Sequence, residues 1–490
     1  MDEKLEGVDD HVRWQALRGV RWSILLNVVT IPLSFVTNTI LGRSSPETLG
    51  YYGAIQIFTG AFQALLVPGG RDVFARFVPS LRREQRVAFM GSYVASVLPW
   101  LALCIGTVLA VPEVSRWVQG YFMVPDLGLA AWAAVAMFVF GFTTHFLYGV
   151  LEAPRAVVTL RAVIVGFFLW ALVGAWQFAE ILRDDPATYL WRGTVVIYTT
   201  VALLGVVQVW RTSEVRDGIV WRWLLPRGFW ITVVYAHAGT VVNFVYTSLV
   251  PAFVLLWLDV SALARLHAAT RYVILLSALP VLTGPVLAPG IARLDASGLR
   301  ESGLRQASSA IRASLLVILP ACLTVILFAG DAMAVFNSEF RGHRDVLRIV
   351  ALMSLAAPTV HYGASLAAGL GAFRHYLVAS MVFVAVSLCA TVILVPTFGL
   401  VGAATAMALG ALVQQTAIGV VLRGLGFRLP GRVVAAWACG LAAMAVSVTW
   451  DPGRVGSGAL LAGMLVVFAL AGRVTVEEIT GLTHRLVRRS

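Results

Sequence analysis

The 490-residue chain is 59% hydrophobic and only 13% charged, with a mean hydropathy of +0.84 and a formal net charge of +12. A soluble domain carries roughly 25% charged residues, so a water-soluble fold is excluded and lipid is the solvent. The basic residues sit in short patches between apolar runs rather than along one stripe, which argues against nucleic acid and for a membrane topology signal.

Residues 1–22 are polar, with Asp2, Glu3, Glu6, Asp9 and Asp10, and lack an apolar run ending in a small-residue cleavage site. They read as a cytoplasmic N-terminus rather than a removable signal peptide. A spanning helix needs about 20 mostly apolar residues, because a rise of about 1.5 Å per residue must cover a core about 30 Å thick. Fourteen such runs follow, near 20–41, 50–70, 87–111, 127–150, 157–179, 190–210, 229–257, 266–291, 309–330, 346–370, 376–396, 400–422, 431–450 and 456–472. They are too long for barrel strands, so the expected fold class is all-α and integral to the membrane.

Loop charge tests this reading, since Lys and Arg in short loops stay on the cytoplasmic side. With alternate sides assigned from a cytoplasmic N-terminus, about 27 basic residues fall inside and about nine outside, leaving Arg271 within a span. Fourteen spans with both ends in the cytoplasm is the self-consistent solution. The four cysteines, Cys104, Cys322, Cys389 and Cys439, lie in apolar runs as small buried hydrophobes. No metal or other cofactor is expected.

An internal repeat organises the chain. A shift of about 216 residues sets Leu26-Asn27 on Val242-Asn243 and helix 1 on helix 7, and one of about 219 sets Leu151 to Arg155 on Leu370 to Arg374. Duplicated helical units are common in secondary transporters. The expected organisation is an N-lobe over 23–210 (helices 1–6), a cytoplasmic linker over 211–228 and a C-lobe over 229–422 (helices 7–12). Helices 13 and 14 occupy 423–472, and a cytoplasmic tail 473–490.

Polar residues within spans usually face a bundle interior or a watery pathway. Helix 1 carries Ser23, Asn27, Thr30, Ser34 and Asn38 on one face, with Pro32 expected to kink it. Helix 2 carries Tyr52, Gln56, Thr59 and Gln63, and helix 7 carries His237, Thr240, Asn243 and Thr247 followed by Pro251. Two readings are open: the stripes line a pathway, or they glue helices through interhelical hydrogen bonds. Arg271 offers the fixed fork of donors that a phosphate needs; pairing with Asp259 or snorkelling to the surface are its alternatives. Arg21 and Arg71 lie at cytoplasmic helix ends, either for substrate or for topology. His145, His237 and His361 are candidate proton-coupling groups or structural histidines. Asp72, Glu152, Glu180, Asp259 and Asp331 all sit at helix edges or in loops, so no carboxylate is expected deep in a span. An organic-cation pump would need one, whereas an anionic substrate does not. An enzyme is not expected, since the longest connections are only about twenty residues and none gathers carboxylates for acid and base work.

The segments Ile40-Leu41-Gly42-Arg43 with Pro46 to Tyr52, Leu151 to Arg155, Leu370 to Arg374 and, most distinctively, Val395-Pro396-Thr397-Phe398-Gly399-Leu400-Val401-Gly402 through Ala406 resemble the multidrug/oligosaccharidyl-lipid/polysaccharide exporter superfamily. Within it, the chain resembles the bacterial O-antigen and exopolysaccharide flippases. The resemblance implies two six-helix lobes around a central cavity that opens alternately to either side. It also implies translocation of an undecaprenyl-pyrophosphate-linked oligosaccharide from the cytoplasmic to the outer leaflet of the bacterial inner membrane. Expected partners are that lipid-linked oligosaccharide, membrane lipids, and polysaccharide polymerase and export proteins. The substrate-binding set would be Arg271, Asn27, Asn38, Gln56, His237, Asn243, Arg21 and Arg71. Lipid II flippases of peptidoglycan synthesis, which place arginines in helices 1, 2 and 8, and multidrug cation antiporters are the alternatives in the superfamily. Helix 2 here has no internal arginine, and helix 1 offers only Arg18 and Arg21 near its cytoplasmic end, a departure from the lipid II pattern.

Overall fold

The computed structural model describes residues 29–68, 70–78, 81, 83–150, 153–177, 184–212, 223–296, 298–370, 372–449 and 453–471. These residues are predominantly helical and contain no β-strand, and the described part of each of the fourteen predicted segments falls on helix. Among them, seven helices pass as membrane spans on length and composition alone, and an eighth is the bent pair Val260–Leu276 and Ala278–Gly284, turned by 53°. The chain is a multi-pass membrane protein.

By contacts the chain divides into two compact units, Met1–Ala264 and Arg265–Ser490. The first holds α1 (29–44), α2 (Pro46–Leu66), α3 (Gly70–Phe77), α4 (Arg83–Ala110), α5 (Pro112–Phe122), α6 (Leu127–Gly149), α7 (Ala153–Gln177), α8 (Pro186–Thr212) and α9 (Phe229–Trp257). The boundary falls inside α10 (Val260–Leu276). The second continues with α11 (Ala278–Ala296), α12 (Arg300–Leu327), α13 (Ala329–Phe336), a 3-10 turn (Ser338–His343), α14 (Arg344–Ala351), α15 (Met353–Gly369), α16 (Phe373–Gly424), α17 (Gly431–Thr449) and α18 (Gly453–Ala471).

In the first unit α6 packs along α8 and over α3, α7 lies against α8, and α2 touches α6, α8 and α5. An aromatic core closes one end: Phe74 meets Tyr93 at 4.9 Å and Phe146 at 6.4 Å, and the Tyr93 hydroxyl donates to the Pro68 carbonyl at 2.8 Å. Phe229, the first residue of α9, inserts into the same core against Phe77 and Phe89, each at 6.0 Å. The residues leading to it are fastened as well, since the Leu224 N–H donates to Ser92 Oγ at 2.8 Å. At the other end the Tyr121 hydroxyl of α5 donates to the Ala252 carbonyl at 2.5 Å. These contacts explain why α9, which the repeat places at the start of the C-lobe, lies in the first contact unit, and why the contact boundary differs from 211–228.

In the second unit α15 packs on α11, α12 and α16, while α12 also carries α17 and α18. The segments 376–396 and 400–422 run into the single 52-residue element α16, broken at Gly399, whose φ of 56° and ψ of −132° are non-helical. At about 1.5 Å per residue, 52 residues are more than twice a hydrocarbon core, so the chain must turn back here. Glycine suits the position because a side chain disfavours positive φ. Beyond the turn, α16 folds onto itself closely. A Cβ at Gly410 would overlap the Ser387 Oγ and stand 2.7 Å from the Phe383 ring, the close approach by which helices associate when burial from water offers no drive.

Two elements fall where plain loops are expected. The short helix α5 follows α4, and α13 with its 3-10 turn follows α12. Their flanking elements recur at constant spacing: α4 and α12 start at 83 and 300, α5 and α13 at 112 and 329, α6 and α14 at 127 and 344, each 217 residues apart.

Candidate functional site

The sequence-derived candidates fall into separate environments. Asn27 and Arg21 lie outside the described residues. Arg71 and Asn243 lie in α3 and α9 with their side chains outside the description. Asn38 is fully buried in α1, and its Nδ2 donates to the Ser34 carbonyl at 2.6 Å. Thr37 and Thr39 likewise bond the Leu33 and Phe35 carbonyls, both at 3.0 Å. Such back-bonding to the preceding turn satisfies a polar group in lipid without a partner helix.

The helix 2 stripe turns largely into the first bundle. Tyr52 is buried and meets Phe167 of α7 edge to face at 5.5 Å, and Tyr198 of α8 is hydrogen-bonded by Thr59 and Gln63. Thr59 and Gln63 thus bond across to α8, and the Tyr52 ring packs on α7. Gln56, on the same stripe, is half-buried, and its carbonyl accepts from Thr59 Oγ1 at 3.0 Å. On α9, His237 is half-buried, with Nδ1 enclosed and without a hydrogen-bond partner among the described residues. An enclosed ring nitrogen of this kind is unusual, since buried polar atoms are nearly always paired. His145 of α6 is half-buried beside Gly70, where a Cβ would stand 3.4 Å from the imidazole Nε2. His361 of α15 is half-buried too, and its carbonyl accepts from Ser365 Oγ at 2.9 Å.

Arg271 is half-buried in α10, with one terminal nitrogen 3.2 Å from Nδ1 of His267, one turn earlier and itself buried. Asp259 does not pair with Arg271. Its carboxylate caps the helix start by accepting from the Ala262 N–H, and twelve residues of helix, about 18 Å, separate the two positions. Arg271 is also not alone as a basic residue in its helix. The helix begins at Val260 rather than near 266, which brings Arg265 into it. All described aspartates and glutamates lie at helix ends or in connections.

Sequence reasoning missed His267, although its i, i+4 spacing from Arg271 was legible. It also missed a buried chain of hydroxyls in the second unit. Tyr362 of α15 bonds Thr283 of α11 at 2.7 Å and Ser314 of α12 at 2.8 Å, while Thr283 donates onward to the Leu279 carbonyl at 2.7 Å. Gln415 of α16 accepts from Trp437 Nε1 at 2.7 Å, which ties α17 to the bundle.

No family model matches the sequence, and no curated protein matches it. Solved structures do match in fold. A lipid II flippase, MurJ, in an inward closed conformation superposes with a TM-score of 0.67 at 12% identity, over 91% of this chain and 97% of that one. An inward-facing multidrug resistance MATE family transporter of the MOP superfamily gives 0.62 at 13% identity, over 84% and 98%. An outward-facing MATE family transporter gives 0.54 at 14%, over 87% and 96%. The chain therefore shares the fold of these solved structures, a flippase and two transporters, over most of its length.

Proposed function

We propose that this chain is a flippase that carries a lipid-linked oligosaccharide, with an undecaprenyl-pyrophosphate anchor, from the cytoplasmic to the outer leaflet of a bacterial inner membrane for surface polysaccharide assembly. Alternating access of two repeated lobes is the proposed mechanism, with both termini in the cytoplasm. One observation carries the reading: a guanidinium, Arg271, is held inside a span beside His267, while the described carboxylates are confined to helix ends. An intramembrane cation without mid-span carboxylates suits a substrate that brings its own negative charge. A pyrophosphate linkage supplies that charge.

The decisive experiment reconstitutes the purified protein in liposomes and follows a fluorescent polyprenyl-pyrophosphate sugar from one leaflet to the other. Transport is expected for the native protein, and Arg271→Ala is expected to reduce it roughly tenfold or more, the loss of one hydrogen bond to a charged group, without reducing membrane abundance. Extrusion of a cationic dye with no movement of the lipid-linked sugar would replace this reading with a drug antiporter.

The likeness to a solved lipid II flippase favours a second reading, in which the cargo is lipid II. The sequence departs from that pattern in helix 2, which has no internal arginine. Competition between a lipid II analogue and an O-antigen-type oligosaccharide in the same liposomes separates the two cargoes.

A further inference from the structure

The short helix α5 holds an aromatic pair that its packing leaves open on one side. It begins at Pro112, directly after the membrane span of α4 ends at Ala110. Ser115 Oγ donates to the Val108 carbonyl at 2.6 Å, which folds the first turn of α5 against the last turn of α4. The inner face of α5 is taken up by the first unit. Val118 and Phe122 are buried, the Phe122 ring meets Phe58 of α2 edge to face at 5.2 Å, and the Phe122 carbonyl accepts from Trp191 Nε1 of α8 at 3.3 Å.

Trp117 lies on another face of the helix and is 54% exposed. Its indole stacks on the Tyr121 ring, one turn later, with centroids 5.0 Å apart and planes within 7°. Tyr121 is fixed in turn, because its hydroxyl donates to the Ala252 carbonyl of α9, and the Phe122 ring braces the indole edge to face at 5.8 Å. The plane of Trp117 is thus set before any ligand arrives. Glu113, one turn before Trp117, shares its face and is held by Arg116 at 3.4 Å, with the two side chains 73% and 75% exposed. Beside them Gly120 has nothing within 4 Å of the place a Cβ would take, which leaves room next to the ring. A helix lying in a bilayer surface buries an apolar face, but that of α5 already meets protein, and what remains outside is a lone indole between charged groups. A fixed aromatic plane bordered by a carboxylate and a guanidinium matches a sugar. The C–H bonds of one pyranose face pack on the ring, while hydroxyls at the sugar's edge donate to the carboxylate and accept from the guanidinium.

From this geometry we propose that Trp117, Glu113 and Arg116 form a saccharide-binding platform, separate from Arg271, and that its ligand is a pyranose unit of the transported oligosaccharide. The stacked, pre-set indole lowers the ordering cost of binding. That the sugar belongs to the cargo rests on the flippase reading: with a cytoplasmic N-terminus, α5 follows the third predicted span and stands on the outer side, where the head group emerges.

The test adds chitotetraose, a water-soluble chain of β-linked pyranoses, to the full chain in lipid nanodiscs and reads binding by saturation-transfer NMR. Weak binding is expected, with transfer concentrated on the ring C–H protons. Trp117→Ala is expected to weaken it about fivefold to tenfold and Glu113→Gln about threefold, while Trp117→Phe retains part of the affinity. All three replace exposed side chains, and a melting curve for each variant confirms that it is folded. Absence of chitotetraose binding to the native protein, or undiminished binding by folded Trp117→Ala, would overturn the platform. Nanodiscs containing brominated phosphatidylcholine test the bilayer as the occupant instead: quenching of the fluorescence that Trp117→Phe removes would seat the indole in lipid and overturn the saccharide assignment. Transport of the lipid-linked sugar is measured separately in liposomes. Transport without chitotetraose binding removes only this platform, whereas chitotetraose binding without transport leaves the platform and removes the flippase reading.

Discussion

Replacing Tyr362 by Phe removes one oxygen from the middle of a proton-ordered chain. Thr283 spends its hydrogen on the Leu279 carbonyl, so Tyr362 donates to Thr283 Oγ1 and accepts from Ser314. The three hydroxyls sit on α11, α12 and α15, and Ser314 and Tyr362 are buried at 1% and 3% exposure, so no water replaces the lost oxygen. Interhelical hydrogen bonds in membranes average about 0.6 kcal/mol with a maximum near 1.7, because the separated helices also find partners. Two bonds lost at one site therefore cost about 1 to 2 kcal/mol. For a unit of some 200 residues this corresponds to a fall in Tm of roughly 2–8 °C, measured by intrinsic fluorescence on the protein in lipid nanodiscs. Ser314→Ala alone removes one bond and should cost less than half as much. In the double variant the Ser314 hydroxyl is no longer stranded, so the combined loss should fall clearly short of the sum of the single losses. Strict additivity of the two, or a Tyr362→Phe protein that melts with the native one, would refute the chain of hydroxyls as a structural tie.

Two further substitutions test the hairpin of α16. Gly399→Ala places a Cβ at φ 56° and ψ −132°, and is expected to cost about 1–3 kcal/mol in thermal stability; an unchanged Tm would show that the turn adopts another conformation. Gly410→Ala drives a methyl into Ser387 and Phe383 and should lower Tm by several degrees, and Ser387→Ala in the same chain should recover part of the loss by removing the nearest atom. At the first unit, Ser92→Ala removes the acceptor of the Leu224 N–H at 2.8 Å. Hydrogen exchange at the Leu224 amide should then quicken about fivefold to tenfold, as expected for a lost bond of about 1 kcal/mol, and unaltered exchange would mean that this contact does not hold the connection.

Hydropathy and spacing were enough for the membrane class and for where helix falls in the described part of the predicted segments, because a hydrocarbon slab of fixed thickness demands apolar runs of fixed length. The reversal at Gly399 was equally legible in Pro396-Thr397-Phe398-Gly399, where two runs meet with almost no linker. The polar stripes show where such reading ends. Spacing reports that Tyr52, Thr59 and Gln63 share a face, but the azimuth of that face is chosen by neighbours, and here Phe167 and Tyr198 took it into the bundle. The short helices α5 and α13 were also beyond the hydropathy signal, since eight to eleven residues make a helix only when tertiary contacts such as Tyr121 to Ala252 and Tyr272 to Ala332 hold them. The contact partners of α9 followed the same logic. Local sequence determined which residues cross the lipid, and only the packed structure decided which way each polar side chain turns, because rotating a helix about its axis leaves its hydropathy unchanged while altering every contact it makes.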